Sequence, residues 1–495
     1  MHEIPPLPVD LDRIREAAPR GALAIVRRIR DAGGQAYLVG GCLRDLILGR
    51  AAKDWDIATD LTPEQVRPLF RRVHDVGARF GTLLVPAAGV IYDVTTFRTE
   101  ADYRDGRHPE SVDFARDIVE DLRRRDFTIN AMAWAPGNDA IVDPFEGLLD
   151  LARREIRAVG DPRERFAEDA LRLLRAIRQA TELDFRIEDA TFQAIRAEAD
   201  GLARISAERI RDELNKMLLS PTPSRGFLLM RDTGLLERVL PELAACDGVA
   251  QNRFHAYDVL RHSLYTCDAA PAANRIVRLA ALLHDLGKPE TAEGSDGERT
   301  FYGHQLISAR KTRRILRRLR YSREEGERVE HLVRHHMFYY QREWTDSAVR
   351  RFVRAVGLEE IPDLVALRLA DMAGNGRKGG DRTPLAQLLQ RVDQVMTKDA
   401  ALTVKDLAIG GHELMALGLP PGPGIGRIQR ALLERVLDDP AVNAVETLTG
   451  IARELIDAGC HLQSDATERG RRDRSRETQD DSVPGITDGP SASAP

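Results

Sequence analysis

With 495 residues the chain exceeds what one hydrophobic core supports, so division into roughly three or four domains is expected. Hydrophobic residues make up 43% and charged residues 31%, which fits a soluble, core-forming protein and excludes wholesale disorder. The net charge of −5 shows no bulk attraction to nucleic acid, and the four cysteines, Cys42, Cys246, Cys267 and Cys460, lack the Cys-x-x-Cys spacing of a zinc site or redox motif.

The first twenty residues, 1–20, are Pro-rich and charged, with no apolar signal core. No apolar run approaches the roughly 20 residues that cross a bilayer, so a cytoplasmic protein without membrane association is expected. Ala22, Leu23, Ile25, Val26 and Ile29 form a helical stripe that stops at Gly33-Gly34. A strand over 36–39 follows, then Gly40-Gly41, a short helix and Gly49, and a second strand runs near Trp55 to Thr59. Thr62-Pro63-Glu64-Gln65 starts a helix, with Thr62 as cap, Pro63 in the first turn and Gln65 closing a capping box. Further strands are predicted at 82–85 and 90–97.

From Arg163 the 3.6-residue period dominates, punctuated near 220–223, 374–380 and 418–426. A dense basic run (Arg310, Lys311, Arg313, Arg314, Arg317, Arg318, Arg320) lies in one helical pattern and either attracts phosphates or forms a solvated face. Residues 464–495 nearly lack apolar side chains and are expected to be a disordered tail. The fold class that follows is an α/β head, a small mixed sheet with helices, then all-α regions.

Asp54 and Asp56 stand two apart in a predicted strand, so both face one side, and Trp55 and Ile57 face the core. Two carboxylates on one face call for a cation, and hard, oxygen-seeking Mg²⁺ suits them. Asp93, isolated in the apolar strand 90–95, supplies a third acid. Three carboxylates holding two ions activate a hydroxyl and steady a departing pyrophosphate. Gly40-Gly41 before a helix lets backbone amides approach a triphosphate, and Arg44 adds a charge-assisted contact. Asp126 and Asn130 lie four apart on one predicted helix face, within reach of one ribose, with Arg125 as a phosphate or sugar contact. Around Glu168 a predicted helix places Glu168, Asp169, Arg172 and Arg175 on one polar arc, either a salt-bridge ladder or a donor–acceptor array. His284-Asp285 follows an apolar helix, with His262 upstream and His304, His331, His335, His336 and Asp371 downstream, a set suited to a borderline divalent metal.

The run Leu38-Val39-Gly40-Gly41, Arg44-Asp45 and Asp54-x-Asp56 resembles the first motif of class II CCA-adding enzymes and bacterial poly(A) polymerases, of the polymerase β-like nucleotidyltransferase superfamily. The resemblance continues through Thr95 to Arg98, Arg124 to Ala131, Asp143 to Gly147 and Arg165 to Arg172, in the family's order. It implies tRNA as partner, CTP and ATP as substrates, and catalysis by Asp54, Asp56 and Asp93 with Mg²⁺. It also implies ribose recognition by Asp126 and Asn130, and a protein template in which Asp169 and Arg172 mimic a base edge while Glu168 positions the arginines. The tract Thr99 to Val112, with Asp102, Arg104, Asp105 and Arg107, corresponds to the family's flexible loop, which favours complete CCA addition. Gly77-Ala78-Arg79-Phe80-Gly81 replaces the basic segment that marks poly(A) polymerases.

Residues 250 to 375 resemble HD-domain phosphohydrolases, implying His262, His284, Asp285 and Asp371 for one metal, with His304 and His335 or His336 for a second. The Pro-Gly-Pro turn near 421–423, followed by Arg427 and Arg430, is similar to the family's tRNA-gripping tail. The expected division is an extension (1–20), nucleotidyltransferase head (21–150), helical neck (151–250), HD domain (251–375), helical tRNA-binding domain (376–463) and tail (464–495). The alternatives are a poly(A) polymerase, a CC-only or A-only enzyme, and an HD phosphohydrolase with an RNA-binding head.

Overall fold

The computed structural model describes residues 5–461 apart from 53, 78–80, 102–110, 139, 296–297, 378–380 and 398–401. The chain divides into two compact units, Met1–Ala245 with Arg318–Tyr321, and Cys246–Arg317 with Ser322–Pro495. The expected tail, 464–495, and Asp102, Arg104, Asp105 and Arg107 lie outside the described residues.

The first unit begins with helices α1 (Leu11–Ala17) and α2 (Arg20–Asp31), followed by strand β1 (Ala36–Val39) and helix α3 (Gly41–Ile47). Strands β2 (Asp56–Thr59), β3 (His74–Gly77), β4 (Thr82–Ala87) and β5 (Val90–Thr96) complete most of a six-stranded mixed sheet. Its order is β3-β4-β5-β2-β1-β8 once β6 (Arg98–Ala101), β7 (Ser111–Phe114) and β8 (Ala133–Trp134) are counted, with β6 and β7 forming a separate hairpin. β2 and β5 run parallel, whereas β1–β2, β1–β8, β4–β5 and β3–β4 pair antiparallel.

The two faces of the sheet have different tasks. Along β5, Tyr92 and Val94 are buried whereas Asp93 is exposed, the period-two alternation of a strand with one face packed. Tyr92 sits under Gly21 of α2, where an added Cβ would lie 2.6 Å from the phenol oxygen. The opposite face carries Asp56 and Asp93 and continues into Val39, Ala58 and Phe97. The helix Ile118–Arg123 covers these three with Ile118 and Leu122 and leaves the acids open. The capping box at Thr62 forms, the Thr62 amide donating to Gln65 Oε1 at 2.9 Å.

Three expectations change. β2 begins at Asp56, so Asp54 precedes the ladder and Trp55 is half-buried rather than in the core. β3, β6, β7 and β8 were not anticipated, because β8 is only two residues long and β3 lacks an apolar face. The all-helical reading beyond 160 is broken by Arg186–Ile187, which pairs in parallel with Glu155–Ile156.

Beyond the head, the first unit continues as helices Pro162–Glu168, Leu171–Leu183, Asp189–Ala197, Ala207–Leu218 and Pro223–Asp232. The second unit is helical. Val259–Ala269, Arg275–Leu283, Arg323–His335 and Ile361–Gly374 surround its histidines. Pro423–Asp438 and Val445–Asp457 share an aliphatic cluster with Leu414, Leu432, Leu437 and Leu448 at its heart. The basic run is partly consumed internally: Lys311 is buried and donates to the Leu286 carbonyl at 2.7 Å, Arg313 pairs with Glu330, and Arg318 pairs with Glu242. Arg310, Arg314 and Arg317 are exposed.

Phe97 is fully buried at the packed end of the acid face. Phe97→Ala is expected to destabilise the head by about 3–5 kcal/mol, read as lost hydrogen-exchange protection of the β1 and β2 amides. Unchanged protection would contradict the placement of this core.

Candidate active site

The parallel ladder between β2 and β5 sets Asp56 directly beside Asp93. Adjacent strands lie about 4.8 Å apart, so backbone register alone starts the two carboxylates from neighbouring positions. With Asp54 they line one cavity of about 1250 Å³. Burial raises the Asp56 carboxyl above its ordinary range; Arg125 opposes this, and the charges of Asp93 and Asp54 add to it. Asp93 is likewise raised, by burial and then by Asp54. An all-oxygen set whose members repel one another fits a hard divalent cation, which would be held by Asp54, Asp56 and Asp93.

Gly40 ends β1 at φ 79° and ψ −142°, a region open almost only to glycine. A Cβ there would stand 2.9 Å from Arg125 Nη1 and 3.3 Å from Asp56 Oδ2. The glycine therefore lets the arginine and the carboxylate close over the turn. Gly41, Arg44 and Arg125 line the same cavity.

Asp126 and Asn130 meet, but not on a helix face. The preceding helix stops at Arg123 and a single 3-10 turn spans Thr128–Asn130. The contact comes through this turn: Asn130 Nδ2 donates to Asp126 Oδ1 at 3.0 Å and to Gln179 Oε1 at 3.1 Å, while its Oδ1 accepts from Arg44 at 2.7 Å. Arg175 clamps Asp126 Oδ2 at 2.8 and 2.5 Å. Burial alone would raise the Asp126 carboxyl, but Arg175 and Asn130 overturn that and hold it well below the usual carboxylate range.

Glu168, Asp169 and Arg172 also come together, on a broken helix rather than a continuous one. Asp169 is extended, at φ −146° and ψ 102°, between the helices Pro162–Glu168 and Leu171–Leu183. It caps the second by accepting the Leu171 amide at 3.0 Å. Glu168 Oε2 receives Arg165 at 2.7 Å and Arg172 at 2.5 Å, and Arg172 reaches the carbonyls of Arg165 and Arg124, each at 3.0 Å. Arg209 grips both oxygens of Asp169, at 3.2 and 2.6 Å. Sequence reasoning did not single out Gln179 or Arg209. Gln179 had a readable signal, a polar residue within a buried apolar helix; Arg209 had none short of its long-range partner.

In the second unit, His262, His284 and Asp285 form one set of potential ligands and Asp285, His304 and His336 another, each with its atoms within 4.8 Å of one another. His262 Nε2 lies 3.2 Å from His284 Nε2 and 3.1 Å from Asp371, and His304 Nε2 lies 3.3 Å from His336 Nε2. The expected His335 does not join them. One residue earlier on its helix, it turns toward His331, ring centroids 4.5 Å apart, and burial lowers its pKa to about 4. His336, just past the last helical turn, takes the place. The Nδ1 atoms of His284, His304 and His336 lie 2.7–2.8 Å from the carbonyls of Ala281, Phe301 and Val333. A carbonyl only accepts, so each Nδ1 carries a proton and each Nε2 is the ring atom aimed inward. Asp285 is held far below its ordinary range: burial would raise it, but His284 and Lys288 prevail.

A mixed sheet bearing paired acids beside a glycine turn, followed by a helical neck, defines a nucleotidyltransferase head. Three family profiles match in chain order: "Poly A polymerase head domain" over residues 36–157, "Probable RNA and SrmB- binding site of polymerase A" over 184–247, and "HD domain" over 254–397. The CCA-adding enzyme of Limosilactobacillus fermentum is 34% identical over 440 residues, covering 88% of this chain and 97% of that protein. The CCA-adding enzyme of Geobacillus kaustophilus is 48% identical over 224 residues, 45% of this chain and 55% of that one. The Bacillus stearothermophilus CCA-adding enzyme, solved in complex with CTP, superposes with a TM-score of 0.67 at 30% identity, covering 92% of this chain and 98% of that one. The Thermotoga maritima enzyme complexed with tRNA shares the fold, with a TM-score of 0.52 at 20% identity, over 90% of this chain and 96% of that one. The chain belongs to the CCA-adding enzyme family and is a tRNA nucleotidyltransferase. No helix among the described residues is long and apolar enough to cross a membrane.

Gly40→Ala is expected to lower nucleotide addition about tenfold or more through backbone strain and the clash with Arg125. Parent-like rates would show that the turn has room for a side chain.

Proposed function

We propose that the chain completes tRNA by adding CCA to its 3′ end from CTP and ATP. The observation that carries this reading is the in-register Asp56–Asp93 pair on the floor of a cavity that also holds Asp169 and Arg172. Gly40, Gly41, Arg44 and Arg125 take the triphosphate, since the side-chain-free turn admits phosphate oxygens close to the backbone and the guanidiniums add charge-assisted bonds. Asp126 and Asn130, fixed by Arg175 and Gln179, face the ribose. Asp169 and Arg172 read the base, a carboxylate accepting and a guanidinium donating, so that C and A are chosen without a nucleic-acid template. Glu168 holds Arg172 in place, so the reading edge is rigid before substrate arrives, the arrangement that favours the transition state most. Asp54, Asp56 and Asp93 would hold a divalent cation, which when bound would supply the charge that activates the terminal hydroxyl and steadies the pyrophosphate; Mg²⁺ matches the all-oxygen donor set.

With tRNA ending before CCA, the purified chain should add CC from CTP alone and a complete CCA from CTP with ATP. Arrest at CC with both nucleotides, or extension into poly(A), would redirect the assignment. Asp54→Ala/Asp56→Ala is expected to abolish addition while leaving RNA binding within about twofold of the parent, because phosphate contacts by arginines supply most of the affinity. Residual addition by that variant would remove the acids from the reaction.

A second activity, metal-dependent phosphohydrolysis, is favoured by the four inward-facing imidazoles around Asp285 and Asp371. His262, His284, Asp285 and Asp371 suit one divalent ion, and Asp285, His304 and His336 a second. His284→Ala/Asp285→Ala should lose both bound metal and the release of phosphate from terminally phosphorylated RNA. Equal phosphate release by variant and parent would sink this activity.

A further inference from the structure

We propose that a side chamber of the active-site cavity seats the last phosphodiester of the RNA acceptor strand, and that buried Asp121 positions the chamber's arginines; the proposal rests on the nucleotidyl-transfer reading above. The chamber, about 240 Å³, is bounded by the two strand acids and by Thr82, Thr95, Arg98, Arg124 and Arg125. Three guanidiniums and two hydroxyls make a donor-rich wall, and such groups are the usual partners of phosphate oxygens.

The sheet places this wall on one particular side of the acids. Gly40 ends β1 and touches the Asp56 side of the pair, whereas β4 borders β5 on the Asp93 side. Thr82 of β4 pairs directly with Thr95 of β5, their hydroxyl oxygens 3.1 Å apart. Thr95 lies two residues beyond Asp93 on the same face, about 7 Å further along the strand. Phosphoryl transfer places the attacking and leaving oxygens roughly in line, on opposite sides of the phosphorus. With the triphosphate on the glycine turn, the attacking 3′-hydroxyl and the phosphate behind it fall on the threonine side.

Asp121 lines neither cavity, and its role is to hold other groups. Its side chain is 1% exposed, and it binds Arg124 Nη2 at 2.9 Å and Arg125 Nη2 at 3.3 Å, one oxygen to each. Two adjacent arginines are thereby tied as a fork on the end of the helix Ile118–Arg123. The Arg124 carbonyl in turn receives Arg172, so the chamber wall and the base-reading edge share one residue.

The test uses the full chain, tRNA lacking CCA, and CTP, with KM measured separately for RNA and for CTP over a range of salt. Thr82→Val/Thr95→Val, which keeps side-chain shape, is expected to raise the KM for RNA about tenfold and leave that for CTP within about twofold. Arg98→Ala should flatten the slope of log KM for RNA against log salt by about 0.7, the loss of one single-strand phosphate contact. Asp121→Asn, which loosens Arg124 and Arg125 together, should raise the KM for RNA and, through Arg125, that for CTP as well, and Asp121→Glu should recover part of both. A rise confined to CTP would assign the chamber to the triphosphate and overturn the proposal, as would constants unchanged in the variants of an active parent. A parent that adds no nucleotide would refute the underlying reading instead.

Discussion

Everything in the head is arranged around an unfavourable contact, two carboxylates placed side by side by the parallel register of β2 and β5. Like charges directly opposite one another weaken a sheet, and here the register keeps their Cβ atoms side by side. The structure offsets the repulsion at its margins. Arg125 approaches Asp56 over a glycine that leaves it room, and one end of the acid face is left open instead of being packed. Strain of this kind, concentrated at one place in an otherwise consistent fold, is where function is expected to lie.

The neck answers with arginines held by carboxylates: Asp126 by Arg175, Glu168 by Arg165 and Arg172, Asp169 by Arg209, Glu213 by Arg178. Buried and half-buried pairs of this sort add little net stability, because desolvation consumes most of the Coulomb gain. What they provide is geometry. Each of these groups that faces the cavity is braced by a partner that does not depend on substrate, so selection among nucleotides falls to a surface that is already in place.

Much of this was legible from residue order. The acids, the glycine turn and the Asp126–Asn130 pair are short-range patterns, and a period of two or a spacing of four carries them. The failures have a common physical origin. A turn of 3-10 helix brings Asp126 to Asn130 as effectively as an α-helical face, so the right neighbours were found on the wrong element. The break at Asp169 is invisible because its flanks, Pro162–Glu168 and Leu171–Leu183, both follow the helical period. Arg209 and Gln179 depend on partners forty to fifty residues away, beyond any local pattern. His335 and His336 differ by one step around a helix end, and helix ends are the least certain feature of a sequence.

The histidine cluster shows the reverse case, a long-range site whose parts are aimed locally. His284, His304 and His336 each bond the carbonyl three places back in their own segment. Every ring is thus steered by its own stretch of backbone before the segments meet. Tertiary packing has only to bring prefabricated pieces within reach, so the neighbours of these residues are free to drift in evolution as long as three short turns keep their shape.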